Sequence, residues 1–440
     1  MIVQQRFYIE TLGCPKNDVD SDKIVGTLLA DGLSATDDPS VADVLVVNTC
    51  AFIEDARKES IDTVLALGAR RKEGARLVVT GCMAERYGPE LAAALPEVDQ
   101  VAGFGVPVMM GRKSLSVTSA NIPSFDLLNL PRPRSTSPWA YVKIAEGCDR
   151  SCGFCAIPSF RGPQRSRDIA SILHEVDELG AKEIVLVAQD LASYGKDRPS
   201  ELGAGSIVPL VRAVSEKVER TRLLYLYPSD LTDELIDAIL DTGVAYFDLS
   251  LQHVSKSHLR RMRRWGDGER FLKRIGDIRA LEPDAAFRSN FIVGYPGETE
   301  EDHDQLLRFV EQAQLDWCGF FTFSPEEGTY AVDLPNKVPI GLMNQRIAEL
   351  RELQDTITST RRDDLIGATV RVLVDEPGIA RSHREAPSID GVIHVDRELS
   401  VGTFHDVEIA DALGPDLVAI GATPFYGEGD VDSEGDDDAN

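Results

Sequence analysis

The sequence lacks any apolar run approaching the length of a membrane span. Its first residues, MIVQQRFYIETLGC, lack the basic segment and long apolar core of a secretory leader, so a cytoplasmic location is expected, with no membrane partner. Cysteine is scarce. Seven in 440 residues cannot build a disulfide scaffold, and in a reducing compartment they suit metal binding or catalysis. Basic residues are outnumbered, 46 Lys and Arg against 73 Asp and Glu, for a net charge of -27. Such a chain repels polyanions at long range and attracts basic partners. No internal repeat is found. What is present is ordinary for a globular protein, 43% hydrophobic and 27% charged, and long enough for roughly two to four domains.

Residues 1–105 alternate between strand and helix patterns. RFYIETLGC, VLVVNTC and RLVVTGC are short β-branched runs, each closing on a cysteine. Apolar strands alternating with helices predict a parallel sheet covered on both faces, with its ligand crevice at the carboxyl ends of the strands. Cys14, Cys50 and Cys82 therefore fall on one edge. Residues 106–136 read as a linker, rich in Pro, Ser and Gly. Residues 137–362 carry six further strand candidates with helices between them, which predicts a partial, TIM-like (β/α) barrel and a long final helix. Residues 363–427 hold four short strands separated by turn residues, a small antiparallel β-barrel. Residues 428–440 are acidic, low in complexity and expected to be disordered. The chain is thus expected to be a multidomain α/β protein.

The first barrel strand runs into AEGCDRSCGFCAIPSFRG, where Cys148, Cys152 and Cys155 are spaced C-x3-C-x2-C. Three thiolates at that pitch can wrap a metal centre, yet closed zinc sites and closed cubane clusters take four protein ligands. Either a distant residue completes a zinc site or the fourth position is left for a substrate. Gln189, Gln252 and Arg288 are polar residues at or near strand ends, and Gly294, Pro296 and Gly297 form a tight turn after another strand. Cys318, inside an apolar strand, is expected in the core. Arg260, Arg261, Arg263 and Arg264 form the one basic run, read as a solvated helix face with ion pairs and otherwise as an RNA contact.

The cysteine loop resembles that of the radical S-adenosylmethionine (SAM) superfamily. The resemblance implies a 4Fe-4S cluster on Cys148, Cys152 and Cys155 as the catalytic centre. It further implies that the amino and carboxylate groups of SAM chelate the open iron, and that an electron from the cluster releases a 5′-deoxyadenosyl radical. Phe154 matches the aromatic position flanking the adenine; Gln189, Gln252, Arg288, Gly294, Pro296 and Gly297 become candidate SAM contacts. TLGCPKNDVDSD, VVNTCAFIEDARKES and VTGCMAERY resemble the three signatures of the N-terminal methylthiotransferase domain. This second resemblance implies another 4Fe-4S cluster on Cys14, Cys50 and Cys82, and a TRAM-like β-barrel at the far end. The family inserts sulfur into an unactivated C–H bond and methylates it, using an external electron donor and a sulfur source.

The family has two branches. One modifies tRNA adenosine at its 2-position; the other modifies an aspartate of small-subunit ribosomal protein S twelve. GCPKN stands where the tRNA branch typically has a Gln-Met-Asn version, and RGPQRSR, FSPEEGT and REAPSIDG also resemble the protein-modifying branch. Charge agrees. Residues 366–426 hold four Arg, no Lys and ten carboxylates, net -6, and residues 427–440 add seven acids. An RNA-binding barrel should be basic, whereas an acidic one suits a basic ribosomal protein. The ribosomal protein is the expected partner and tRNA is not. Two departures from the family pattern are VDSD in place of Val-Asp-Ser-Glu, and Lys256 and Ser257 where relatives carry Asp-Arg.

Overall fold

The computed structural model describes residues 4–108, 126–198 and 205–422. The acidic tail and the middle of the expected linker lie outside these residues. The chain divides into two compact units, Met1–Gln354 and Asp355–Asn440.

The first unit opens with a five-stranded sheet of β1 (Arg6–Thr11), β2 (Ser34–Ala35), β3 (Val44–Thr49), β4 (Arg76–Gly81) and β5 (Gln100–Ala102). Every pairing is parallel, in the order β2-β1-β3-β4-β5. Helices α1 (Pro15–Ala30), α2 (Glu54–Arg70) and α3 (Cys82–Ala94) make the crossovers. β3 is buried at every position, which explains its unbroken apolar run. Val44, Val46 and Val78 pack with Phe7, Ile24 and Leu28 on one face. Leu45, Val47 and Val79 pack with Val64, Leu67 and Leu91 on the other. The strand order reverses between β1 and β3, and a crevice opens at such a switch point, outside the carboxyl ends.

The same unit continues with β6 (Trp139–Lys143), the short antiparallel pair β7 (Ala145–Glu146) and β8 (Arg165–Ser166), then β9 (Glu183–Val187), β10 (Arg220–Leu223), β11 (Tyr246–Gln252), β12 (Ala286–Val293) and β13 (Trp317–Thr322). Two parallel sheets, β6-β9-β10 and β11-β12-β13, meet through a single parallel bridge, Leu226 to Leu249. Among the described residues β6 and β13 do not pair, so the six strands form the open arc predicted from the sequence. Around the arc run α4 (Ile157–Arg161), α5 (Ile169–Leu179), α6 (Val208–Ser215), α7 (Asp233–Leu240), α8 (Lys256–Arg261), α9 (Gly268–Leu281) and α10 (Glu300–Ala313). Local sequence sets their ends: α10 begins with a reciprocal Thr299–Asp302 capping box, and α5 stops at left-handed Gly180. The long helix α11 (Ile340–Asp363) follows.

In the second unit, β14 (Thr369–Glu376), β15 (Ile379–Arg381), β16 (Ile393–His394), β17 (Phe404–Leu413) and β18 (Asp416–Ala419) close a barrel over Val372, Val374, Ile393, Ile409 and Leu417. β15, three residues long, has no counterpart among the four predicted strands, and the β16–β18 pairing is parallel within an otherwise antiparallel barrel. Glu385, fully buried in the REAPSIDG segment, receives Arg362 Nη1 at 2.6 Å and the Ser382 amide and hydroxyl at 2.8 and 2.6 Å. That segment is therefore a structural latch of the barrel.

Candidate metal centres

The structure gathers the dispersed cysteines as the strand pattern predicts. Cys14 follows β1 and is the N-cap of α1; Cys50 follows β3 directly; Cys82 follows β4 and opens α3. The three sulfurs act on one another electrostatically, while burial pushes the Cys50 thiol up to about 12 and raises that of Cys82. The amino ends of α1 and α3 favour negative charge at this edge. Gly81 makes the turn possible. At φ +87° its backbone suits glycine, and an added Cβ would lie 2.2 Å from Asn48 Oδ1 and 2.5 Å from the Thr49 carbonyl oxygen.

The second trio sits in the loop after β7. Gly147, at φ +80°, performs the same service, since a Cβ there would lie 2.1 Å from the Pro163 carbonyl oxygen. The Cys148 amide donates to the Gly162 carbonyl at 3.1 Å and the Gly153 amide to that of Met262 at 2.8 Å, which closes the loop. Burial raises the Cys148 thiol to about 11 and that of Cys155 to about 12. Donors aim at these sulfurs: the Arg150 amide reaches Cys148 Sγ at 3.4 Å and Arg264 Nη1 reaches Cys152 Sγ at 3.3 Å. Asp190, at 2.5 Å from Nε, and Asp230 hold the Arg150 guanidinium.

A buried charge network runs from Cys82 of the dispersed trio to Glu146, two residues before Cys148 in the chain. Arg161 donates through Nη1 to both Glu146 oxygens, at 2.8 and 3.0 Å, and through Nη2 to Asn17 Oδ1 at 3.0 Å and Cys82 Sγ at 2.9 Å. Lys143 binds Glu146 at 2.8 Å and also Asp20. Burial alone would raise the Glu146 carboxyl, but Arg161 and Lys143 hold it well below the usual range. Glu326, in FSPEEGT, binds Arg57 at 2.5 Å and Arg86 at 2.8 Å, from the helices of the first sheet. Two of the sequence signatures thus fasten the sheet to the barrel. Sequence reasoning passed over Asp20, Lys143, Glu146, Arg161 and Glu326. The available signal was the pair of charges in AYVKIAEGC, set in an otherwise apolar strand.

The donor sets fit an iron–sulfur cluster better than a single ion. Zinc bound at 2.3 Å would hold its sulfurs about 3.8 Å apart. Among the described residues, the group drawn within 4.8 Å is His253, His258 and Glu298, and neither cysteine trio is that tight. Guanidinium groups in hydrogen-bond reach of Cys82 and Cys152 suit anionic sulfur rather than a neutral thiol core. The histidine group reads as core. Glu298 already takes Arg346 at 2.7 Å and the Gly294 amide at 2.6 Å, and His253 Nδ1 accepts from the Ser255 amide at 3.1 Å.

The remaining expected residues are dispersed around the barrel mouth. Phe154 is half-buried in the loop, and Gln189 donates to Glu146 Oε1 at 2.9 Å. Gln252 ends β11 in a left-handed conformation, φ 69°, beside a register shift. Arg288 lies early in β12, opposite Asp248, and not at the carboxyl end. Pro296 sits in the turn between Gly294 and Gly297, whose open sides face Met343 of α11 and the Arg261 guanidinium. Cys318 lies in β13, its thiol raised by burial. The arginine run is only partly a solvated face, with Arg260 and Arg263 exposed. Arg264 turns inward to Cys152 and Arg261 donates to the Gly297 carbonyl at 3.2 Å, because left-handed Arg263 ends the short helix α8.

A parallel-sheet domain, an open (β/α) barrel with a three-cysteine loop, and a small closed barrel define a radical SAM protein with a TRAM domain. Residues 6–103 match the uncharacterized protein family UPF0004, residues 142–310 the radical SAM superfamily and residues 366–420 the TRAM domain. The chain is 42% identical to the ribosomal protein uS12 methylthiotransferase RimO of Moorella thermoacetica, over 89% of this chain and 93% of that one. It is 39% identical to the RimO of Streptomyces coelicolor (93% and 95% covered) and 40% to that of Akkermansia muciniphila (93% and 98%). A solved methyltransferase, TsrM of Kitasatospora setae, is a distant likeness at 14% identity, covering 91% of this chain and 82% of that one with TM-score 0.48. The chain belongs to the RimO family of radical SAM methylthiotransferases.

Proposed function

We propose that this chain methylthiolates ribosomal protein uS12, at the β-carbon of an aspartate. The observation that carries the reading is the pair of cysteine trios, each without a fourth cysteine, with Arg161 bridging Cys82 of one to Glu146, which precedes the loop of the other. A chain that only bound the ribosome would need neither.

Cys148, Cys152 and Cys155 would hold one 4Fe-4S cluster, and Cys14, Cys50 and Cys82 a second. When bound, such a cluster supplies a one-electron donor and, through its open iron, an anchor for SAM or sulfur. Everything else falls to the protein. Arg150 and Arg264 present hydrogen-bond donors to the loop sulfurs, and Arg161 does so at Cys82. Phe154, Gln189, Gln252, Arg288, Gly294, Pro296 and Gly297 are the proposed SAM contacts. Of these, Gln189 is held by a hydrogen bond to Glu146 Oε1 at 2.9 Å, which supports the assignment of a fixed side chain there. An external reductant and a sulfur source complete the reaction. We place it in the cytoplasm, where uS12 is made; among the described residues no helix is long and apolar enough to cross a membrane.

The test is a competition under strict anaerobiosis. Reconstituted protein, SAM, reductant and sulfide meet uS12 and bulk tRNA together, with mass spectrometry on both. A methylthio gain on an aspartate of uS12 is the expected result. The same gain on an adenosine would overturn the reading.

A further inference from the structure

Lys16 departs from two local rules. It stands in the first turn of α1, where the helix dipole disfavours a cation. Half-buried two residues after Cys14, it has no carboxylate partner among the described residues; its ammonium lies 3.5 Å above the centre of the Tyr225 ring. Most other cations around the two trios are held by carboxylates, and Arg264, which sits over the Tyr227 ring, is spent on Cys152 Sγ and the Ser250 carbonyl. Arg57 and Arg86 bind Glu326, Arg150 binds Asp190 and Asp230, and Arg161 binds Glu146.

Tyr225 departs from a rule as well. It lies just past β10 with φ 64°, a conformation sparsely populated by aromatic residues, and its amide is pinned to Asp248 Oδ2 at 2.9 Å. The strain places a barrel ring beneath a lysine of the first sheet. Burial, and then the neighbouring Cys14, raise the Tyr225 phenol well above its ordinary value. The pair therefore stands at the seam between the barrel mouth and the dispersed trio. A cation held by a ring face keeps its N–H donors available for an anion, which a salt bridge would not allow.

We propose that Lys16, seated on Tyr225, binds the carboxylate of the substrate aspartate and so sets the specificity of the site. This rests on the uS12 reading above. The carbon to be modified is bonded directly to the carboxylate carbon, so a cation that fixes the carboxylate also fixes the reacting C–H beside Cys14. An adenine ring offers no anion there, and a lysine would gain nothing from it.

The experiment compares uS12 with its variant carrying Asn at the modified aspartate, on reconstituted wild-type, Lys16→Met and Lys16→Arg proteins. Binding is read by fluorescence anisotropy, and KM and kcat by mass spectrometry. Wild type should prefer Asp over Asn by about tenfold or more in Kd. Lys16→Met should bring that ratio close to one and raise KM, while Lys16→Arg keeps most of the preference and shows that the position tolerates change. If Lys16→Met keeps the wild-type ratio, or if Lys16→Arg loses it as fully as Lys16→Met does, the assignment of Lys16 is wrong while the uS12 reading stands. If wild type modifies neither form of uS12, the substrate reading itself fails and takes this inference with it.

Discussion

Arg161 Nη2 lies 2.9 Å from Cys82 Sγ, while Nη1 of the same guanidinium lies 2.8 Å from Glu146 Oε1. One side chain from the barrel thus touches a sulfur of the first sheet and the carboxylate that Gln189 and Lys143 share. Removing it leaves Glu146 and Asp20 with Lys143 as their one ion-pair partner among the described residues. Arg161→Met should cost about 3–5 kcal/mol, the usual penalty for breaking a buried pair. Arg161→Lys should recover only part, because an ammonium cannot span the same acceptors. Urea unfolding of the metal-free protein measures both; a loss below about 1 kcal/mol for Arg161→Met would show that the network does not hold the seam.

The two cysteine trios should be separable by iron content. Wild type, reconstituted anaerobically, is expected to carry about eight irons per chain, and either Cys82→Ala or Cys155→Ala about four. Only Cys155→Ala should also abolish SAM cleavage to 5′-deoxyadenosine. Equal loss of cleavage in both variants would mean that the trios are not independent centres.

His258 is buried, and desolvation lowers its imidazole to about 4 from the ordinary 6.5. The unfolded chain therefore takes up its proton first as pH falls. The stability that His258 contributes is full above 6.5 and is lost between there and about 4. Wild type should weaken by about 2 kcal/mol from this group between about pH 7 and pH 5. His258→Gln should show correspondingly less of that decline in urea midpoints at the two pH values.

Glu385 has its own, more acid window. Burial opposes its charge, yet Arg362 and the Ser382 donors hold it down to about 2 from 4.5. A depressed carboxyl stabilises above its unfolded value, so this contribution persists down to 4.5 and fades as pH falls toward 2. Glu385→Gln should cost about 3–5 kcal/mol at neutral pH by breaking its buried pair with Arg362. Hydrogen exchange across residues 369–419 should accelerate in that variant and remain unchanged over β3 and β4.

Much of this was legible because it was local. β-branched runs closed by Cys14, Cys50 and Cys82 announced a parallel sheet with sulfur at its carboxyl edge, and burial of β3 on both faces is the reason the pattern was so clear. Charged partners were not legible. Lys143 and Glu146 look like ordinary interruptions of a strand, since nothing in a sequence says that Arg161 and Asp20 will meet them. The basic run misled for a related reason. The six-residue helix keeps Arg260 in solvent as composition suggested, but the left-handed Arg263 that follows it lets Arg261 and Arg264 turn inward. β15 is too short to show any alternation.

The two trios also differ in how far apart their members lie along the chain. Cys148, Cys152 and Cys155 belong to one loop and stay within its reach even if the surrounding strands loosen. Cys14, Cys50 and Cys82 are gathered only by the register of β1, β3 and β4, which must close long stretches of backbone first. The cluster proposed for the dispersed trio would therefore report on tertiary structure, and mild denaturant should empty it before the loop. A population of chains with half its iron would be the mark of a frayed first sheet rather than of poor supply.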